Sequence, residues 1–172
     1  MTKNYLLLVV GFLTFTLLIS SCKKDETVDP PAEFVATNST FDGISTWTLG
    51  GEFFGMDPAL GGAHGGNDST VTRSVYFKTD VVPSNGIYPL GAVITKRSHN
   101  TGGTLNEYTA MVKRGGDFNP DGNNWEFFML AGEGQIAKDA DGNEMRGAEL
   151  MDGMCIGCHT GAKSSDYIFT AR

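Results

Sequence analysis

Basic charge, helical periodicity and cysteine are what this 172-residue chain has least of. Lys and Arg number 13 against 20 Asp and Glu, a net charge of −7, and no run of like charge is long enough to make a disordered tail. So acidic a balance excludes nucleic acid as a partner, because phosphate backbones are held by cationic surfaces. The long 3.6-period apolar runs of amphipathic helices are missing. The 23 glycines would each cost roughly 1 kcal/mol inside a helix, which excludes a helical bundle. No internal repeat is visible. The length suffices for one domain with a real core and is short for two. What fits is a turn-rich domain built on strands.

The long apolar run lies at the N-terminus. Leu6–Ile19, preceded by Lys3 and broken by Gly11, Thr14 and Thr16, is too short to span a bilayer with ordinary flanks and reads as a secretory h-region. Ile19-Ser20-Ser21-Cys22 follows, a branched apolar residue, two small ones and then cysteine. That order resembles the bacterial lipobox. On this resemblance residues 1–21 are a lipoprotein signal peptide and Cys22 is the first mature residue, acylated on its sulfur and its amine. Residues 22–39, with Lys23-Lys24-Asp25-Glu26 and Pro30-Pro31, then form a lipidated tether. The alternative is a plain signal peptide with a chance cysteine. Two or three acyl chains anchor a protein stably where one does not. Removing residues 1–21 takes away Lys3 and no acid, leaving 12 basic and 20 acidic residues, net −8. The expected location is the cell envelope, in the periplasm or at the outer membrane.

Of the three cysteines, Cys22 thus belongs to the lipid. The other two stand in Cys155-Ile156-Gly157-Cys158-His159, the C-x-x-C-H attachment signature of c-type haem. Two thiols one helical turn apart reach the two vinyl groups of a porphyrin edge, and the adjacent imidazole becomes the iron's fifth ligand. A disulfide redox motif would want a thioredoxin-like βαβ pattern around it, and none is present. A zinc site would need a fourth ligand, and the remaining histidines, His64 and His99, have no second ligand near them in sequence. Thirteen residues follow His159, none of them Met or His, so no sixth ligand comes from downstream. Met151 and Met154 are too near along the chain to reach the opposite haem face. Met56, Met111 and Met129 stay open as sixth ligands, although Met in such contexts is usually core filler. The simpler inference is an iron with a vacant position, which binds small ligands.

The body of the chain, residues 40–172, reads as a mainly antiparallel α+β domain with short flanking helices and the haem motif at its C-terminal end. A short helix is expected over Thr40–Ile44, capped by Ser39 or Thr40, and a strand bulged at Gly50-Gly51 over Ser45–Phe54. Asp57–Ser69, rich in glycine and holding His64, reads as a loop. Val71–Asp80 alternates with period two, placing Val71, Arg73, Val75 and Phe77 on one face. Gly91–Lys96, Glu107–Arg114 and Trp125–Leu130 complete five strands, the last two joined by the turn cluster of residues 115–122. Residues 144–154 are expected to be helical and to lead into the haem motif.

The segments Arg73–Tyr76, Tyr88–Lys96, Tyr108–Arg114, Trp125–Phe128, Cys155–His159 and Asp166–Thr170, in this order, resemble the cytochrome P-460 family, which includes the cytochromes c′-beta. The likeness runs from about Phe41 to Thr170. It implies a β-sheet fold, usually a homodimer, with one five-coordinate c-type haem. Some members oxidise hydroxylamine towards nitrous oxide or nitrite and pass the electrons to an acceptor such as a soluble cytochrome. Others bind nitric oxide in an apolar pocket without turnover. A membrane-tethered electron carrier is a third reading. In the hydroxylamine-oxidising members a lysine is cross-linked to the haem edge, and the matching segment here ends at Lys96. The continuation Arg97-Ser98 departs from the family's usual Lys-Glu. Phe53, Phe77, Phe127 and Phe128 are candidates to line the pocket. Glu107, Asp80 and Glu126 are the nearest acids for a proton acceptor, and the ordinary reading of each is a solvated surface carboxylate.

Overall fold

The structure, a computed structural model, describes residues 32–170 apart from 61–63, 66, 79, 80 and 133. The expected signal peptide, Cys22, most of the expected tether and Asp80 lie outside the described residues. Alternating apolar residues separated by glycine-rich turns build one antiparallel sheet. Its strands are β1 (Thr48–Phe54), β2 (Thr72–Phe77), β3 (Val93–His99), β4 (Leu105–Lys113), β5 (Trp125–Ala131), β6 (Gln135–Ile136) and β7 (Arg146–Gly147). The order is β1-β2-β3-β4-β5-β6, with β7 also paired to β5. Every neighbour in space is thus a near neighbour in sequence, a meander whose first two connections are long loops.

Both faces of the sheet are covered. On one, Tyr76, Val93, Tyr108, Ala110, Val112, Phe128 and Leu130 pack under Ala36, Phe41, Ile44 and Trp47 from the N-terminal segment, with Phe41 edge-on to Phe128 at 5.2 Å. The N-terminal segment forms two short 3-10 turns, Asn38–Phe41 and Ile44–Thr46, where the sequence suggested one short helix. On the other face Val75, Phe77, Ile94, Met111, Trp125 and Phe127 meet Tyr88, Tyr167 and Ile168, with Cys155 and Ile156 at the margin. The C-terminal segment carrying Cys155 and His159 is thus pressed onto the centre of the sheet.

The bulge expected at Gly50-Gly51 is present, as a register shift between Leu49 and Gly51. A Cβ on Gly50 would stand 2.1 Å from the ring of the fully buried Phe77. Residues 144–153 are not helical, contrary to the sequence expectation. Arg146 leaves the helical path to pair with β5 and to chelate Glu126, with Nε to Oε1 at 2.7 Å and Nη2 to Oε2 at 3.0 Å. Met151, Asp152 and Gly153 then take positive φ of 58, 54 and 76°, which a right-handed helix does not admit. Helix α1 (Met154–His159) starts only after that turn. Glu126 is accordingly no surface acid; it is 1% exposed, on the face away from the C-terminal segment.

Gly50→Ala is expected to lower stability by about 1–3 kcal/mol through overpacking against Phe77. A denaturant midpoint unchanged from wild type would refute that account of the bulge.

Candidate functional site

Helix α1 is only six residues long, and its length places Cys155 and Cys158 one turn apart. Both thiols are free and half-buried, and burial pushes the Cys155 thiol up from its ordinary pKa. His159 closes the helix with its ring between Phe127 and Phe169, each 5.4 Å away centre to centre. Its Nδ1 lies 2.7 Å from the Tyr167 carbonyl. A carbonyl only accepts, so Nδ1 carries the proton and donates, leaving the Nε2 lone pair free for a metal. Burial lowers the pKa of His159, outweighing the hydrogen bond to Tyr167, and so favours the neutral, ligating imidazole.

A buried knot holds Tyr167 in place. Asp166 accepts from Lys113 Nζ at 2.8 and 2.9 Å, from Asn123 Nδ2 at 2.6 Å and from the Tyr88 N–H at 2.8 Å, while its carbonyl accepts from Trp125 Nε1 at 2.8 Å. Asp166 and Tyr167 both sit at positive φ, 52 and 67°. The strain is offset by these contacts, and the resulting turn aims the Tyr167 carbonyl back at His159.

Between α1 and the sheet lies a cavity of about 540 Å³, within the range that cofactor sites occupy. Cys155, Cys158 and His159 line it from one side, and Val75, Ile94, Met111, Phe127 and Met129 from the sheet. Its polar end is set by strand register. Lys96 pairs with Val75 on β2 and Thr109 on β4; Ser98 pairs with Arg73 and Glu107. Residues two apart share a face, so Arg73, Lys96 and Glu107 project together into the cavity, with Lys96 and Glu107 diagonal neighbours within side-chain reach. Lys96 Nζ is 2.9 Å from Glu107 Oε2. His64 Nδ1 is also 2.9 Å from Glu107 Oε2, and the Gly65 N–H donates to Oε1 at 3.0 Å. One carboxylate thus clamps the glycine-rich loop and the strand lysine together. Burial alone would raise the Glu107 pKa, but the His64 hydrogen bond and the Lys96 charge outweigh it and hold it at about 2. Lys96 is lowered, first by burial, with Glu107 opposing and Arg73 adding to the shift.

The residues singled out in the sequence divide cleanly. Lys96, Cys155, Cys158, His159, Phe127 and Glu107 converge on the cavity, and Phe53 stands at its rim. Phe77 is fully buried in the core beside Tyr88, and the Phe128 ring packs on the opposite face against Phe41. Of the methionines left open as sixth ligands, Met111 and Met129 line the cavity and Met56 is exposed. Sequence reasoning missed His64 and Arg73 as members of the site. Arg73 carried a readable signal, a charge on the otherwise apolar face of an alternating strand. His64 sits in an aperiodic loop, and nothing in its neighbourhood singles it out.

A family model described as Cytochrome P460 matches residues 63–170. No curated protein and no solved structure matches the chain. The donor set fits the haem this family implies. Two free thiols a turn apart stand on an apolar cavity with an imidazole whose outer nitrogen is engaged and whose inner one is free.

Glu107 is held below the 4.5 of an ordinary glutamate, so its contribution to stability is complete above about pH 4.5 and disappears as pH falls towards 2. The contribution is about 3 kcal/mol. Unfolding midpoints measured from pH 7 to 2 should fall more steeply for wild type than for Glu107→Gln. Parallel curves would contradict the clamp.

Proposed function

Because the chain belongs to the cytochrome P460 family, and so is a haem protein, we propose that it carries one haem c on Cys155 and Cys158 and oxidises a small nitrogen compound of the hydroxylamine class. His159 would hold the iron through Nε2. The haem, when bound, supplies a vacant coordination position for the ligand and a sink for its electrons. The observation that carries this reading is the convergence of both thiols, His159, Lys96, Glu107 and His64 on one cavity.

The chain's own residues do the rest. Val75, Ile94, Met111 and Phe127 exclude water from the apolar part of the cavity. Oxidising a hydroxylamine releases protons, and a base must stand within reach of them. Glu107, at about 2, is too weak a base at neutral pH. It acts instead as the orienting partner of His64: with Nδ1 tied to Glu107, the imidazole has Nε2 left to take a proton. The carboxylate then stabilises the imidazolium, the base-and-orienter arrangement of nucleophile activation. Lys96, beside Glu107 and lowered in pKa by burial, would supply its nitrogen to a bond with the macrocycle edge, an N–H and a C–H hydrogen being lost to a two-electron oxidant.

Binding of nitric oxide without turnover is the second reading, favoured by the apolar lining. A plain electron carrier would need a sixth ligand, and Met111 and Met129 are the thioethers on the cavity wall from strands facing α1. We further propose that Cys22 anchors the domain to the cell envelope, that electrons leave to a soluble cytochrome, and that the chain pairs with a second copy. The exposed Leu49, Phe53 and Phe54 of edge strand β1 suit such pairing.

Protein made with haem-maturation machinery should reduce a soluble acceptor on addition of hydroxylamine. His64→Gln should lower kcat by roughly 10²- to 10⁴-fold while leaving the nitric oxide adduct spectrum intact. Unchanged turnover in that variant would remove His64 as the base, and wild type that binds nitric oxide but never turns over would favour the second reading. Lys96→Ala should return a red-shifted Soret band to the ordinary position. A Lys96 peptide free of haem in wild type would exclude the cross-link.

A further inference from the structure

Arg73 is unaccounted for by the proposed chemistry. It is 5% exposed, lies on the cavity wall, and among the described residues makes one long hydrogen bond, Nη1 to Asn67 Oδ1 at 3.4 Å. A guanidinium has five N–H donors and cannot lose its charge. Among the described residues no carboxylate forms an ion pair with it. Glu107 is taken by His64 and Lys96. Asp57, the other acid on the lining, accepts from the Ala59 N–H at 3.0 Å and forms no ion pair. The Glu126 carboxylate is on the other face with Arg146. A buried cation left this way is costly unless something negative joins it.

The neighbouring lysine brings no negative charge to Arg73. Lys96 shares Glu107 with His64, and its Nζ is otherwise buried without a hydrogen-bond partner. Val75 stands between Arg73 and Phe77 on β2 and opposite Lys96, so both cationic heads border the same polar end of the cavity. We infer that Arg73 forms an anion subsite inside the cavity, shaped for a small planar oxyanion of the nitrite class. The planar fork of Arg73 matches two oxygens of such an anion side by side. The apolar wall rejects larger hydrated anions.

The subsite rests on the haem reading above, because the anion it accepts is of the kind that oxidation of a small nitrogen compound yields. A haem propionate has the same carboxylate-like chemistry and is the competing source of negative charge. Protein shown by mass to carry one haem is titrated with nitrite by calorimetry, a measurement independent of turnover. Wild type should bind nitrite, Arg73→Gln roughly tenfold or more weakly, and Arg73→Lys in between. Nitric oxide, a neutral ligand, should bind wild type and Arg73→Gln alike. Nitrite affinity within twofold of wild type in Arg73→Gln, with a shifted reduction potential instead, would assign Arg73 to a propionate and overturn the subsite. Equal losses of nitrite and nitric oxide binding would overturn it as well, since that marks collapse of the cavity. Absence of hydroxylamine oxidation would leave the nitrite measurement standing and count only against the proposed turnover.

Discussion

The hydrogen bond between His159 Nδ1 and the Tyr167 carbonyl is the contact on which the site turns. It fixes the tautomer, the ring orientation and the nitrogen that remains free. The bond exists because Asp166 and Tyr167 hold a left-handed turn, and the turn persists because Lys113, Asn123, Trp125 and the Tyr88 N–H converge on Asp166. A backbone carbonyl eight residues downstream of His159 thereby sets the chemistry of its imidazole. Removing one partner from such a buried ion pair costs far more than the pair itself contributes. The knot therefore defines the geometry of the site more than it adds to overall stability.

The sheet supplies the opposite wall by register alone. A one-residue slip of β3 against β4 would send Lys96 to the face covered by Phe41 and Trp47 and leave Glu107 without its lysine partner. The short 100–104 turn between the two strands and aromatic residues on both faces oppose such a slip. The same meander separates two kinds of buried charge. Glu126 with Arg146 ties the N-terminal cover to the sheet, through Arg146 Nη1 and the Ala36 carbonyl at 2.8 Å, and has no part in the cavity. Glu107 with Lys96 and His64 lies inside it. Both acids stand on neighbouring strands in similar sequence surroundings, and only which face each projects from separates a structural role from a chemical one.

Period-two alternation made β2 to β5 legible in the sequence, and C-x-x-C-H made the turn between the two thiols legible, because both are local patterns. The family likeness agrees with the match over residues 63–170. Residues 144–153 were misread as helix because Ala148, Leu150 and Met151 fit a helical face, whereas the pull of Glu126 on Arg146 is a tertiary interaction invisible along the chain. His64 was unreadable for a related reason: its meaning comes from a carboxylate 43 residues away. Arg73 is the instructive intermediate, since a charge on an apolar strand face already asked for a partner.

Everything proposed for the site depends on one covalent link, a porphyrin joined to both thiols of α1. The most direct measurement is intact mass of the mature protein from a host that matures c-type cytochromes, with thiol alkylation in parallel. A mass larger by one haem, with Cys155 and Cys158 both closed to alkylation, is the predicted result. A mass of polypeptide and lipid alone, with two thiols that alkylate freely, would contradict it.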